Sequence, residues 1–197
     1  GHDVLLSGGG NEDMDAEAGD DIMVGGLGTD RFFGQQGFDW VTLKDDPYGL
    51  EADMEIRLFS PPPLPGSPGS ILDRFATVEG LSGSAFADIL RGDNETVFTD
   101  NELRNISLIN GLQDFLGAGV TEFAAGNIIF GGDGSDIIEG RGGNDLIDGD
   151  RWLNVRISVR QNADGTGPEI MTFDRMTDEL SNMMLTRTLN PGQLQIV

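Results

Sequence analysis

Residues 25–42 read GGLGTDRFF (25–33) and GQQGFDWVT (34–42), two lines of nine with Gly in first and fourth place, Asp in sixth and an apolar residue in eighth. Carried toward the N-terminus, the same ruler gives GHDVLL (1–6, a partial line), SGGGNEDMD (7–15) and AEAGDDIMV (16–24). The sixth place holds Asp3, Glu12, Asp21, Asp30 and Asp39, and the eighth Leu5, Met14, Met23, Phe32 and Val41. A second block keeps the pattern in EFAAGNIIF (122–130), GGDGSDIIE (131–139) and GRGGNDLID (140–148). There Asn127, Asp136 and Asp145 stand sixth, and Ile129, Ile138 and Ile147 eighth. One isolated line, GSAFADILR (83–91), carries Asp88 and Leu90.

Each line divides into a turn and a strand. Its glycines permit positive φ and sharp reversal, and its last three residues send one side chain inward and two outward. Three-residue strands hold no sheet alone, so the lines must stack, and the pattern predicts a solenoid. If consecutive strands fall in opposite sheets, two lines complete a coil. Asp3, Asp21 and Asp39 then line one edge, Glu12 and Asp30 the other.

Stacking brings carboxylates within a few ångströms of each other, where like charges repel and one would take up a proton. A hard dication reverses the sign of that problem. Calcium suits it, because it accepts six to eight oxygens in loose geometry and Gly-rich turns offer carbonyls beside the Asp oxygens, whereas magnesium wants smaller octahedra. Several Ca2+ ions are therefore the expected cofactor.

GGLGTDRFF, GGDGSDIIE and GRGGNDLID resemble the nonapeptide of the RTX, or haemolysin-type, calcium-binding repeats. The resemblance implies a mainly β fold, a parallel β-roll, here with insertions and a small C-terminal α+β appendage. It also implies ligand sets of backbone carbonyls and paired sixth-place acids. One set is Gly19 and Asp21 with Gly34, Gln36 and Asp39; another is Gly8, Gly10 and Glu12 with Gly25, Leu27 and Asp30. In the second block Asn127 pairs with Asp145 and the carbonyls of Gly140 and Gly142, and Asp136 goes with Gly132, Gly134 and, as a candidate, Asn154. Asp3 and Asp88 are candidates from their places in the lines. Glu12 is one methylene too long and Asn127 lacks the charge, which weakens or empties their sites.

The stretches LSGSAFADILRGD (81–93), 109–160 and NPGQLQIV (190–197) also resemble the region that accompanies the haem peroxidase domain of large bacterial secreted proteins. Such peroxidases use His, and the one His here is His2. The resemblance implies a neighbour rather than an activity, and no enzyme is expected in this segment.

Charge agrees. Thirty-four Asp and Glu against 12 Lys and Arg leave a net charge of -22, so nucleic acid and anionic membrane are poor partners and cations natural ones. With 30 glycines and 38% hydrophobic residues, the chain borders on disorder until its acids are neutralised. It has no cysteine, which excludes disulfides and thiolate sites. Its apolar runs fall far short of the roughly 18 residues of a membrane span, and no signal peptide opens it. Gly1 lies inside a line and LQIV ends on a strand, so the sequence reads as a piece of a longer chain.

Four segments follow: repeats over 1–42, an insertion over 43–121 that holds the line 83–91, repeats over 122–150, and an appendage over 151–197. In the insertion, PPPLPGSPGS (61–70) is a loop, and TDNE (99–102) has capping-box form with Leu103 and Ile106 on one face of a short helix. In the appendage, WLNVRISVR is a half-buried strand, NADGTG a turn, EIMTF a hairpin partner, and Met176, Leu180, Met183 and Met184 have helical spacing over 176–186. Asp39 and Asp136 are 97 residues apart, not a multiple of nine. Two separate rolls, or one roll with a looped-out insertion, both remain open.

An EF-hand at Asn11, Asp13 and Asp15 fails because Ala16 replaces the needed Gly and Ile22 the needed Glu. Paired carboxylates could serve glycoside hydrolysis, but so many acids in register make a chance pair nearly certain. No HExxH is present for a zinc protease. The expectation is a calcium-binding module of a larger secreted bacterial protein, folding after export and stabilising or presenting neighbouring domains, with type I secretion machinery as a candidate partner. The alternatives are a non-catalytic part of a haem peroxidase, or an adhesion or spacer module.

Overall fold

The computed structural model describes residues 1–56, 73–96, 103–124 and 126–197. The expected loop at 61–70 and the capping box at 99–102 lie outside them.

Strands are numbered along the chain. One wall of the first unit, Gly1–Leu153, is a six-stranded parallel sheet. Its order is β1 (Val4–Leu6), β4 (Ile22–Val24), β7 (Trp40–Thr42), β10 (Gly80–Ser82), β12 (Ile128–Phe130) and β14 (Leu146–Asp148). The opposite wall has two three-stranded parallel sheets. The first is β3 (Asp13–Asp15), β6 (Arg31–Phe33) and β9 (Arg74–Ala76); the second is β8 (Glu51–Asp53), β11 (Ile89–Arg91) and β13 (Ile137–Glu139). The amide of Phe75 donates to the carbonyl of Ile56 at 2.9 Å, which joins the two end to end. A two-stranded pair, β2 (Gly9–Gly10) with β5 (Leu27–Gly28), stacks neighbouring turns.

Eighth-place residues fill the space between the walls, as the alternation predicts. Met14, Met23, Phe32, Val41, Leu90 and Ile129 are buried in one cluster with Phe75 and Leu81, and Leu5 and Ile138 pack against it. Phe32 and Phe75 stack with ring centroids 5.5 Å apart. Ile147 differs: it is 46% exposed on β14, the last strand of its sheet, where no further coil covers it.

The roll is continuous. In the first wall β7 pairs with β10 and β10 with β12, so Val41, Leu81 and Ile129 stand in one register although 40 and then 48 residues separate them. Within the segment 43–121, β8 to β11 are themselves roll strands, stacked between the two repeat blocks. Part of it returns against the outer face of the first wall, where Phe38, Trp40 and Phe130 meet Phe123 and Phe115. Leu103, expected on a helix, instead bridges Phe123, and helical structure begins at Ile106 and continues in α1 (Leu112–Leu116).

The second unit, Asn154–Val197, is a three-stranded antiparallel sheet with β15 (Ile157–Arg160) between β16 (Glu169–Phe173) and β17 (Leu194–Ile196). It also carries α2 (Asp178–Leu185), whose N-cap Thr177 accepts from the amide of Leu180. The mainly β fold with an α+β appendage is the one expected, although β15 is shorter than the alternation of WLNVRISVR suggested.

Candidate metal centre

Each roll strand is preceded by the residue in sixth place, and those residues form ladders along the edges. On one edge the amide of Asp3 donates to Asp21 Oδ1 (2.6 Å), that of Asp21 to Asp39 Oδ1 (3.0 Å), and that of Asp39 to Glu79 Oε2 (2.9 Å). On the other, the amide of Glu12 donates to Asp30 Oδ1 (2.8 Å), Asp30 to Asp73 Oδ1 (2.8 Å), Leu50 to Asp88 Oδ1 (3.0 Å) and Asp88 to Asp136 Oδ1 (2.9 Å). Near the end of the roll the amide of Asp93 donates to Asn127 Oδ1 (3.0 Å) and that of Asn127 to Asp145 Oδ1 (2.9 Å).

In Asp21, Asp30 and Asp39 one carboxylate oxygen thus holds a backbone amide while the other is spare. Glu12 Oε2, Asp21 Oδ2, Asp30 Oδ2 and Asp39 Oδ2 are buried with no hydrogen-bond partner. An unpaired buried carboxylate oxygen is costly, and such a group either binds a cation or takes up a proton. Burial, opposed by the amide of Asp21 and reinforced by that residue's charge, pushes Asp39 up to about 7. Burial also raises Asp21 and Asp88.

The turns supply the remaining donors. A Cβ on Gly19 would overlap the carbonyl oxygen of Gly1, one on Gly37 that of Gly19, one on Gly28 that of Gly10, and one on Gly26 that of Gly8. These turns stack carbonyl over Cα, which only glycine permits, and Gly19, Gly28 and Gly37 have φ of +145°, +149° and +123°. At Gly34 a Cβ would meet Asp39 Oδ2, and at Gly140 Asp145 Oδ2. Among the described residues no three acidic or His side chains converge on one point. The donor set is a carboxylate pair with carbonyls, a hard all-oxygen set that fits calcium.

The predicted residues divide accordingly. Asp21 with Asp39, and Glu12 with Asp30, meet as spaced, and the turns bearing Gly8, Gly10 and Gly19 stack on their counterparts; Asp3 is exposed at the start of its ladder. Leu27 pairs with Gly9, Gln36 bridges Ala18, and Gly25 backs onto Leu43 and Phe32. Gly132 and Gly134 stack on Ser84 and Phe86, which places Asp136 beside Asp88. Asp88 has both oxygens occupied, Oδ1 by Leu50 and the Ser84 hydroxyl and Oδ2 by the Ser84 amide. Asn127 keeps its ladder bond, but its spare atom is Nδ2, a buried donor without a partner, which repels a cation. Gly142 approaches Asn94.

Sequence reading missed Asp73 and Glu79. Their signal was present without the ruler: Asp73-Arg74-Phe75 repeats Asp30-Arg31-Phe32 and stacks on it, and Glu79 precedes Gly80-Leu81-Ser82 as Asp39 precedes Trp40-Val41-Thr42.

Fold and site together define a parallel β-roll with cation-binding edges. Residues 1–41 and 123–151 match the family model of the RTX calcium-binding nonapeptide repeat, in four copies. Repeats of this kind bind several calcium ions per repeat region. Neither a search of curated proteins nor a search of solved structures finds a match. The matched residues stop at 41 and resume at 123, while the roll runs on between them through β8, β9, β10 and β11. No described helix is long and apolar enough to cross a membrane.

Proposed function

We propose that this segment is a calcium-dependent folding module of a larger secreted bacterial protein. It stays extended where calcium is scarce, orders where calcium is plentiful after export, and then stabilises or presents its neighbours. The single supporting observation is the row of buried, partnerless oxygens on Glu12, Asp21, Asp30 and Asp39 in a chain of net charge -22. Without a cation these oppose folding; with one, metal-binding free energy becomes folding free energy. The module is non-catalytic, and type I export, which favours an unfolded substrate, suits it.

Calcium titration of the metal-free chain, followed by far-UV circular dichroism and calorimetry with magnesium as control, tests this. A cooperative coil-to-β transition taking up several ions, absent with magnesium, is expected. A chain folded in chelator that takes up no calcium overturns it.

A second reading, support of a haem peroxidase domain, rests on the resemblance of 81–93, 109–160 and 190–197. Loss of the parent's peroxidase activity on deletion of this segment would favour it over a spacer.

A further inference from the structure

Asp46 belongs to no nonapeptide line, yet it is only 3% exposed. Both of its carboxylate oxygens are buried without a hydrogen-bond partner, a condition no other acid among the described residues shares. It lies in the turn of residues 43–50 that joins β7 to β8. Three bonds fix that turn: the amide of Leu43 donates to the carbonyl of Ser82 (2.9 Å), that of Asp46 to the carbonyl of Leu43 (3.1 Å), and that of Leu50 to Asp88 Oδ1 (3.0 Å).

Strand β8 pairs with β11 at the edge of its sheet, and Ile56 just beyond it accepts from Phe75 of β9, so this turn occupies the place of a nonapeptide turn on the second edge. Its ladder position is Leu50, whose side chain is in the core. This level therefore has the ladder's hydrogen bond without the ladder's carboxylate, and Asp46 returns a carboxylate to it from four residues upstream. Burial and then the charges of Asp30, Asp88 and Asp45 act on Asp46, while Asp73 is repelled by Asp30 and Asp46, so Asp46 stands amid the acids of the second ladder. Lys44 pairs with Asp45 at 3.0 Å.

We propose that Asp46 anchors a divalent-cation site that the nonapeptide pattern does not encode, built where the turn of residues 43–50 enters the second edge, beside the spare Oδ2 of Asp30. Three partnerless oxygens, Asp46 Oδ1 and Oδ2 and Asp30 Oδ2, are a hard anionic set suited to calcium. A single proton would neutralise one of the two charges and leave the other buried without a counter-ion. The inference rests on the calcium reading above and extends it: the insertion that breaks the nine-residue phase brings its own ligand.

The test is calcium binding to the 197-residue chain and to Asp46→Asn, counted by calorimetry, with melting temperature followed against calcium concentration. The variant is expected to bind one ion fewer, and its melting temperature to rise less steeply with calcium, because that slope reports the ions taken up on folding. Asp46→Ser, smaller and also uncharged, should lose the same ion. An unchanged ion count with an unchanged slope in both variants overturns the site and makes Asp46 a buried protonated acid. Failure of the calcium reading is distinct: the unsubstituted chain itself would take up no calcium.

Discussion

The amide of Asp39 donates to the carboxylate of Glu79 at 2.9 Å across 40 residues of sequence, as the amide of Asp21 donates to Asp39 at 3.0 Å across 18. The ladder runs on past the end of the first repeat block to Glu79. Glu79 is buried, so Glu79→Ala deprives a buried amide of its acceptor and should cost about 1–3 kcal/mol. Glu79→Gln keeps an acceptor and should recover most of that. Denaturant midpoints in saturating calcium will read the difference.

Asp39→Asn separates the two jobs of a ladder acid. The amide oxygen can still accept from Asp21, but the charge facing the cation is gone. Calcium affinity should fall by at least tenfold by calorimetry, while the β-content of the chain in chelator rises, because a buried unpaired charge has been removed. Equal calcium affinity in the two proteins would remove Asp39 from the ligand set.

Gly37 has φ +123° and faces the carbonyl of Gly19. Gly37→Ala strains the backbone by about 1–3 kcal/mol and also pushes that carbonyl away. Both thermal stability in calcium and calcium affinity should drop, whereas Gly149→Ala, with open space around the new methyl, should leave affinity unchanged. Parallel melts and titrations will compare the two.

Burial holds Asp39, Asp46 and Asp73 at about 7 in the metal-free fold, above an ordinary Asp near 3.9. The folded chain then binds more protons than the unfolded chain between these values, so without calcium its stability is greatest at acid pH and declines as pH rises through about 7. Circular dichroism in chelator should show more β-structure at pH 5 than at pH 8. Calcium competes with those protons, so its apparent affinity should rise over the same window.

How much of this was legible depended on whether the ruler reached. Asp21 over Asp39 and Glu12 over Asp30 follow from eighteen-residue spacing, and Met23, Phe32 and Val41 face the core because strand side chains alternate. Asp73 escaped although its tripeptide copies Asp30-Arg31-Phe32, because the 43-residue step fits no multiple of nine. Asp88 sits at a ligand place, but Ser84 occupies its oxygens, and that competition exists only once the turn is folded. Leu103 carried a helical pattern and was taken instead by pairing with Phe123, since tertiary contacts override short local preferences.

The sequence by itself determined the unit of the fold: glycines where chains must touch, one apolar side chain per strand, and an acid at each edge. These depend on backbone geometry within nine residues. Only the tertiary structure decided that the two repeat blocks form one roll, that Glu79 and Asp73 continue the ladders, and that Asp46 fills a level where Leu50 took the acid's place. The reason is that strand pairing demands register between the strands alone, while the cost of closing the loop between them grows only slowly with its length, so the number of intervening residues leaves the stacking free.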